Sequence, residues 1–486
     1  MSGTAPPQQG MRRIPIALES YEHPSLPLVA KRLINMMVEA TPSDARTATP
    51  VISTPTLQPY ATYGTGPILA MNDDLPGRIY LVSGTHFWRL SFLPSGIQAD
   101  DLGDVGSPDP TVAVGLITIA VGQTAAVVCV TPNSFTCSHA PGDPLNQITD
   151  PAYPGARSVT FCDGYYAFSS SDNSAEWFIS QLADPSSFDA LDFVFSDAVP
   201  NVIRRLITHR GQIWSCGEGG FQIWYDAGSS GLETTSGISY FPFREASGGV
   251  VPIGTQSPMS LCRADQSVWW LGCDGVVYRS NGYAPLRVST HAIEAIIGQN
   301  LTGLVAMTHA YRGHWFYCIT TVDGRTLCYD ISTQKWHERS TSTDGTGPWR
   351  ALTVALNGLL YGDRIAGNLY TLGMTATEAD GTEVIRHMAL PPLWAGTNRA
   401  FCARVEVEME SGGPNTPGPV YLDWSDDGSR TFRTPARVMS AGGPTDYRHR
   451  VYTTRLGSFR QRSFRLTTNG LTRVYGVDAD IVAGNN

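Results

Sequence analysis

The chain has 486 residues, 42% hydrophobic and 16% charged, with 49 Gly and 33 Pro, a balance that excludes a disordered polypeptide and predicts many turns. Its net charge of -9 argues against a general nucleic-acid coat, because neutralising phosphates requires clustered excess Lys and Arg. Length alone suggests roughly two to four domains, although a repeated β architecture can make one long one.

Residues 1–60 read as an N-terminal arm. Met1–Gly10 is polar and Pro-rich, with no basic segment leading into an apolar core, so no secretory signal is expected. The arm's one apolar segment, Arg32–Glu39, fits a strand or a short helix by pattern. Such an arm docks on a neighbour or closes its own domain.

Residues 61–375 repeat one grammar, in which a short β-branched or aromatic run is followed by a Gly or Asp turn and a second such run. Examples are Gly164–Phe168, Gly211–Gly217, Trp269–Tyr278 and Gly313–Tyr317. Runs centred on Tyr80, Val127, Tyr166, Trp214, Trp269, Phe316 and Leu360 recur about every 40–55 residues, the spacing of propeller blades. One such hairpin cannot bury both faces, so radial stacking predicts an all-β fold with a β-propeller-like central domain of six or seven blades. A pair of β-sandwiches is the alternative. Thr111–Val130 is uncharged and about long enough to span a bilayer, but it is rich in β-branched residues and splits at Val121–Thr124 into two strands and a turn. No membrane is expected. One helix is predicted at Ser289–Ile297, capped by Ser289 or Thr290, with Ile293, Ile296 and Ile297 as its apolar face.

Residues 376–399, with Pro391 and Pro392, read as a crossover linker, and residues 400–486 as a C-terminal β-sandwich. Val405–Glu410 alternates as a strand with one wet face should. The sandwich carries Arg at 430, 433, 437, 448, 450, 455, 460, 462, 465 and 473 and no Lys. Arginines spread among strands favour solvated faces or subunit salt bridges over a nucleic-acid groove.

Catalytic signatures are lacking. The sequence has no GxSxG elbow, Walker loop, HExxH or Rossmann glycine pattern, and its ten His are scattered singly. No catalytic, metal or cofactor residue is assigned, and no enzyme activity is expected. His314 and His337 read as satisfied strand histidines rather than metal ligands, and His291 and Glu294 lie one helical turn apart, able to pair. The nine cysteines lie mostly in apolar runs with no CxxC. They read as buried hydrophobes of a protein folded in a reducing cytoplasm, with oxidised pairing of Cys318 and Cys328 as the alternative. Ser425–Phe432 resembles the Asp box that braces turns in sialidase-like propellers, with Ser429 where that pattern has Gly. A brace of that kind speaks for fold and not for chemistry. Two other functions stay open: a glycan-binding propeller using Trp88, Trp177 and Trp224, and a sialidase-like glycoside hydrolase.

Several segments in order resemble the tail-nozzle, or packaged-DNA stabilisation, proteins of short-tailed bacteriophages. They are Tyr21–Leu28, Arg32–Asn35 with Glu39, Ala183–Phe193, Gly217–Asp226, Trp270–Gly272, Val288–Glu294, Gly313–Tyr317 and Trp336–Arg339. Thr54–Leu57 departs from the pattern, which has Gly after Pro. The resemblance implies a virion component assembled in the host cytoplasm as a homo-oligomeric ring, a hexamer, below the portal and its adaptor. That ring would extend the DNA channel, retain the packaged genome until ejection and anchor tail spikes, fibres or a plug. Arg32, Asn35 and Glu39 are the candidate oligomer or partner contacts. Double-stranded DNA would pass without specific binding, since an acidic lumen repels phosphates.

Overall fold

The computed structural model describes the chain apart from residues 1–9, 43, 46, 108–115, 173, 200–201, 229–240, 376–380, 411–418, 435, 440–449 and 485–486. Among the described residues, seven four-stranded units surround one axis. Six are separate sheets. In chain order, five of these run from Ile68–Asn72 to Gly96–Asp104, Ile117–Val121 to Asn146–Gln147, Ala156–Cys162 to Asp184–Phe195, Ile203–His209 to Phe243–Val251, and Cys262–Ala264 to Ala284–Arg287; these are blades one to five. Blade six, Val305–Tyr311 to Lys335–Arg339, is the first part of an eleven-stranded sheet. Blade seven runs from Ala351–Ala355 to Asn368–Gly373 and takes its fourth strand, Thr56–Thr62, from before blade one. That strand closes the ring.

The turns explain the hairpins. Asp163 and Gly164 (φ 47° and 92°), Arg210 and Gly211 (54° and 70°), and Arg312 and Gly313 (49° and 87°) each place two successive residues in the left-handed region, the geometry whose twist matches the flanking strands. Between blades lie seven apolar layers, each shared by two neighbours. Trp214 of blade four meets Trp270 of blade five, Phe168 and Phe178 of blade three meet Val127 of blade two, and Leu81 of blade one meets Leu360 of blade seven. The remaining layers join blades one and two, three and four, five and six, and six and seven.

The helix His291–Ile297 forms as expected, with Thr290 as N-cap accepting from the Ile293 amide. It buries Ile293 and Ile297 against Trp269 and Tyr317 between blades five and six. The uncharged stretch splits into Ile117–Val121 and Ala125–Val130, paired antiparallel; Thr111–Gly115 lies outside the described residues. Among the described residues no helix is long and apolar enough to cross a membrane.

The N-terminal segment is not a free arm. Met11–Ile14 pairs with Arg473–Ala483, and Ala30–Ile34 lies between Lys335–Arg339 of blade six and Arg386–Ala389. Met36–Val38 pairs with Val51–Ser53, which also pairs with the C-terminal strand. An arm would have left Leu33, Met36 and Val51 in water with open strand edges; here they sit in the sandwich core with Val405, Trp424 and Phe464. The stretch read as a crossover contains the strand Arg386–Ala389, with its residues 376–380 outside the described ones. The Val405–Glu410 strand also differs from expectation. Glu406 and Glu408 are 7% and 8% exposed, covered by Arg404 and Arg450 on Glu406 (2.7 and 3.0 Å) and Arg13 on Glu408 (2.9 Å). Arg448 lies outside the described residues.

Candidate functional site

The three candidate contact residues come together where the sandwich meets blade six. Ile34 aligns with Glu338 in a parallel bridge, which brings Arg32 onto Glu338 with both ends of its guanidinium, at 2.9 and 2.8 Å. Arg325 reaches the same carboxylate at 3.0 Å and Glu22 at 2.9 Å. Burial alone would raise the Glu338 carboxyl, but hydrogen bonds and charge from Arg32 and Arg325 outweigh it and hold it below its ordinary value. Asn35 is buried at 3%. Its amide donates to the Ser340 and Ile385 carbonyls, both at 2.8 Å, and its carbonyl oxygen accepts from the Ser340 amide at 3.0 Å. Glu39, half-buried, approaches Nε2 of His314 at 3.2 Å.

His314 opens onto a polar and aromatic core that single-residue reading did not reveal. Its Nδ1 lies 2.8 Å from Asp330, itself 1% exposed. The hydrogen bond to Asp330 raises the His314 imidazole above its ordinary value against the effect of burial. Burial, with Arg339 close by, pushes His337 down to about 3 and His309 well below its ordinary value. Arg339 is 1% exposed and stacks over Trp349 at 4.7 Å. Three of the ten scattered histidines therefore share one blade. The signal was alternation: His337 and Arg339 occupy the same face of Lys335–Arg339, and Cys328 pairs across from His337. Cys318 and Cys328 are cross-strand neighbours and both are free, buried thiols.

His314 is clamped between two carboxylates, with Thr333 as a further donor to Asp330 at 2.7 Å. Among the described residues no group of three or more His, Cys, Asp or Glu is placed to hold a metal.

On the propeller axis a cavity of about 290 Å³ is lined by the innermost strand of every blade. Its hydroxyls are spent on the scaffold: Thr118 accepts from the Val159 amide at 2.8 Å, Thr160 and Thr208 share a bond of 2.8 Å, and Thr308 donates to the Arg263 carbonyl at 2.9 Å. The three tryptophans of the glycan-binding reading are not a surface. Trp177 and Trp224 are 0% and 6% exposed and pack edge to face, and Trp88 is half-buried against Tyr63.

Ser425–Phe432 is a turn brace in the sandwich. Ser425 Oγ donates to Asp427 at 2.5 Å and accepts from the Ser429 amide at 2.9 Å, while Asp427 accepts from the amides of Arg430 and Thr431 at 3.0 Å. Hydrogen bonds from Ser425 and Thr431 hold the Asp427 carboxyl far below its usual range. Ser429 takes φ 66° where the pattern has Gly.

Several solved structures are similar to this chain at low identity. The extracellular domain of a putative one component system of B. thetaiotaomicron is 10% identical, covers 86% of this chain and 58% of its own, and gives a TM-score of 0.42. A hybrid two component system domain from the same organism is 12% identical, with 65% of this chain and 39% of that one covered and a TM-score of 0.39. Kluyveromyces lactis Hsv2 is 10% identical over 64% of this chain and 97% of its own, with a TM-score of 0.32. This chain thus spans less than two thirds of the length of the first two. No curated protein matches. The family profile described as "Bacteriophage P22 Gp10, beta-propeller" matches residues 12–377, and on that extent the chain belongs to the phage stabilisation family of bacteriophage P22 Gp10.

Proposed function

We propose that this phage structural protein, a component of the virion, is a tail nozzle: a ring below the portal and adaptor that extends the DNA channel, retains packaged DNA until ejection and anchors other tail parts. The observation that carries the reading is the family match, which runs from the N-terminal strands through the last blade. The fold is compatible with a conduit that has no turnover. Its strands are locked by seven interblade cores, and His314 is held in an internal pair with Asp330.

The propeller axis is not the conduit. Its cavity of about 290 Å³ cannot admit a duplex whose major groove alone is about 12 Å wide. DNA therefore passes between subunits, and a homo-hexamer is the assembly this reading takes from the family. Duplex DNA is a transient and unspecific passenger, because a chain of net charge -9 offers few sites for phosphate neutralisation. Arg32 and Glu39, at the partly exposed rim of the sandwich junction, remain the proposed partner contacts, whereas Asn35 supports them from inside.

Quantitative proteomics with cross-linking of purified virions tests this. A few copies per particle, linked to the adaptor and to one another, are expected. Absence from the particle, or links to fibre tips alone, overturns the reading.

A further inference from the structure

Two exposed surfaces of the chain carry opposite charge and similar apolar content. The first is the outer edge of blade three. Its last strand, Asp184–Phe195, pairs on one side only. Leu182, Leu191, Phe193 and Phe195 are 62%, 80%, 39% and 46% exposed, and the Phe193 and Phe195 rings meet edge to face at 5.6 Å. Asp184, Asp189, Asp192 and Asp197 lie in the same stretch with no Lys or Arg among them. Their hydrogen-bond donors are neutral: the Ser186 and Leu191 amides and the Gln181 side chain. Burial and the charge of Asp189 push the Asp192 carboxyl upward, as expected of crowded acids lacking a counter-charge.

The second surface is one end of the sandwich. Trp394 and Phe401 are 60% and 53% exposed. Phe401 pairs across from Ser458, the Ala395 amide donates to the Arg460 carbonyl at 2.8 Å, and the Arg455 amide donates to the Ala403 carbonyl at 2.9 Å. These bonds set the Arg460 backbone beside the residue after Trp394 and the Arg455 backbone beside Ala403, two residues past Phe401. Arg399 lies two residues before Phe401, and its carbonyl accepts from the Gly484 amide at 2.6 Å. All three arginines are exposed, and none has a carboxylate partner among the described residues.

Exposed apolar patches rimmed by charge mark docking sites, and opposite potentials select the partner and its orientation. The sandwich extends from blade six, so it and blade three lie in different sectors of the propeller, and one chain cannot cover its own acidic edge with its own arginines. A contact between two different surfaces of identical chains repeats head to tail and closes a ring when the rotation allows. We infer that the occupant of each surface is a second copy of this chain: the blade-three edge of one copy docks on the Trp394, Phe401, Arg399, Arg455 and Arg460 end of the next. This rests on the ring reading above and names the contact that would build the ring.

The test uses the full chain in a Cys273→Ser background, since Cys273 is an exposed thiol. One variant carries Asp189→Arg and Asp192→Arg; another carries Arg455→Glu and Arg460→Glu. Sedimentation velocity and native mass spectrometry should show a salt-sensitive oligomer for the parent, loss of that oligomer in each variant alone, and its return when the two are mixed one to one. The mixture is decisive because each reversed surface then finds its complement on the other variant. Unchanged thermal melting certifies that both variants fold. The inference is overturned by variants that keep the parent oligomer or by a mixture that stays monomeric. It is equally overturned by a parent that stays monomeric at all concentrations and gives no intermolecular cross-link between Asp189→Cys and Arg460→Cys copies. Loss of duplex-DNA binding by the arginine variant, with the oligomer intact, would make that end a phosphate surface and also overturn it. Rescue by mixing together with absence from virions would keep the contact and remove the nozzle reading.

Discussion

His314 joins two carboxylates that lie far apart in the sequence, with Nδ1 2.8 Å from Asp330 and Nε2 3.2 Å from Glu39. The clamp fastens the N-terminal segment to blade six and makes that fastening depend on pH. Because the folded imidazole is raised by Asp330, its stabilisation is fully present below the unfolded value of about 6.5 and is lost as pH rises through the higher folded value. The lowered Asp330 carboxyl stabilises above about 4 and loses that contribution only as pH falls through its folded value. His314→Gln should therefore cost about 1–3 kcal/mol near pH 5.5 and distinctly less at pH 8.5. Urea unfolding at the two pH values checks this, and an equal deficit at both would show that the His314 charge contributes nothing.

Glu338 is 3% exposed and holds both Arg32 and Arg325. Removing the shared acid strands Arg32 and leaves Arg325 with Glu22 alone, whereas removing Arg32 leaves Arg325 in place on Glu338. Glu338→Ala is expected to cost about 3–5 kcal/mol, Arg32→Ala less, and the double change Arg32→Met with Glu338→Leu less than Glu338→Ala. Thermal melts of the three variants give the order. If Arg32→Ala proves the most damaging, Arg325 is not a working partner of Glu338.

The blades were legible because their information is local. Alternation within five or six residues and paired left-handed turns such as Asp163 with Gly164 specify a hairpin without reference to the rest of the chain. The same holds for Thr290 capping the helix and for the break around Gly122. The placement of Ala30–Ile34 was not legible, because its partners are Arg386–Ala389 and Glu338, and no local pattern encodes pairing across more than 300 residues. The wet face expected for Val405–Glu410 failed for a related reason. Arg13 and Arg450, which cover its acids, come from elsewhere in the chain. The family resemblance supplied what periodicity could not, and the profile match over residues 12–377 bears it out.

Tryptophans separate core from surface. Trp177 is fully buried against Trp224, Phe241 and Phe243, so Trp177→Ala should cost about 3–5 kcal/mol through the cavity it leaves. Trp394, 60% exposed, should change monomer stability by no more than about 0.5 kcal/mol when replaced by Ala. Chemical denaturation of the monomer measures both. A Trp177→Ala protein of parental stability would mean that the layer between blades three and four is far looser than its ring contacts indicate.

Asn35 combines φ 54° with three side-chain hydrogen bonds. Asn35→Gly removes the bonds and keeps the backbone unstrained, at an expected cost of about 1–3 kcal/mol. Asn35→Ala removes the same bonds and also forces a Cβ-bearing residue without a local polar partner into the left-handed region, adding about 1 kcal/mol. The difference between the two unfolding free energies isolates the backbone contribution. Glycine proving no better than alanine would show that the left-handed turn relaxes once the bonds to Ser340 and Ile385 are gone.

Closure of the ring depends on Thr56–Thr62, which supplies the fourth strand of blade seven from the opposite end of the propeller sequence. Leu57 anchors it, pairing across from Leu372 and lying 1% exposed among Phe316, Trp349 and Tyr370. Without this strand Asn368–Gly373 becomes an open edge, and the layer between blades six and seven loses a side chain it cannot replace locally. Leu57→Ala should cost about 2–5 kcal/mol. Hydrogen exchange in the variant should accelerate first along Asn368–Gly373 and Leu360–Asp363, while blades two to four keep their protection. Acceleration spread evenly over all seven blades would mean that the propeller opens as one unit and that the Thr56–Thr62 strand is not its weakest seam.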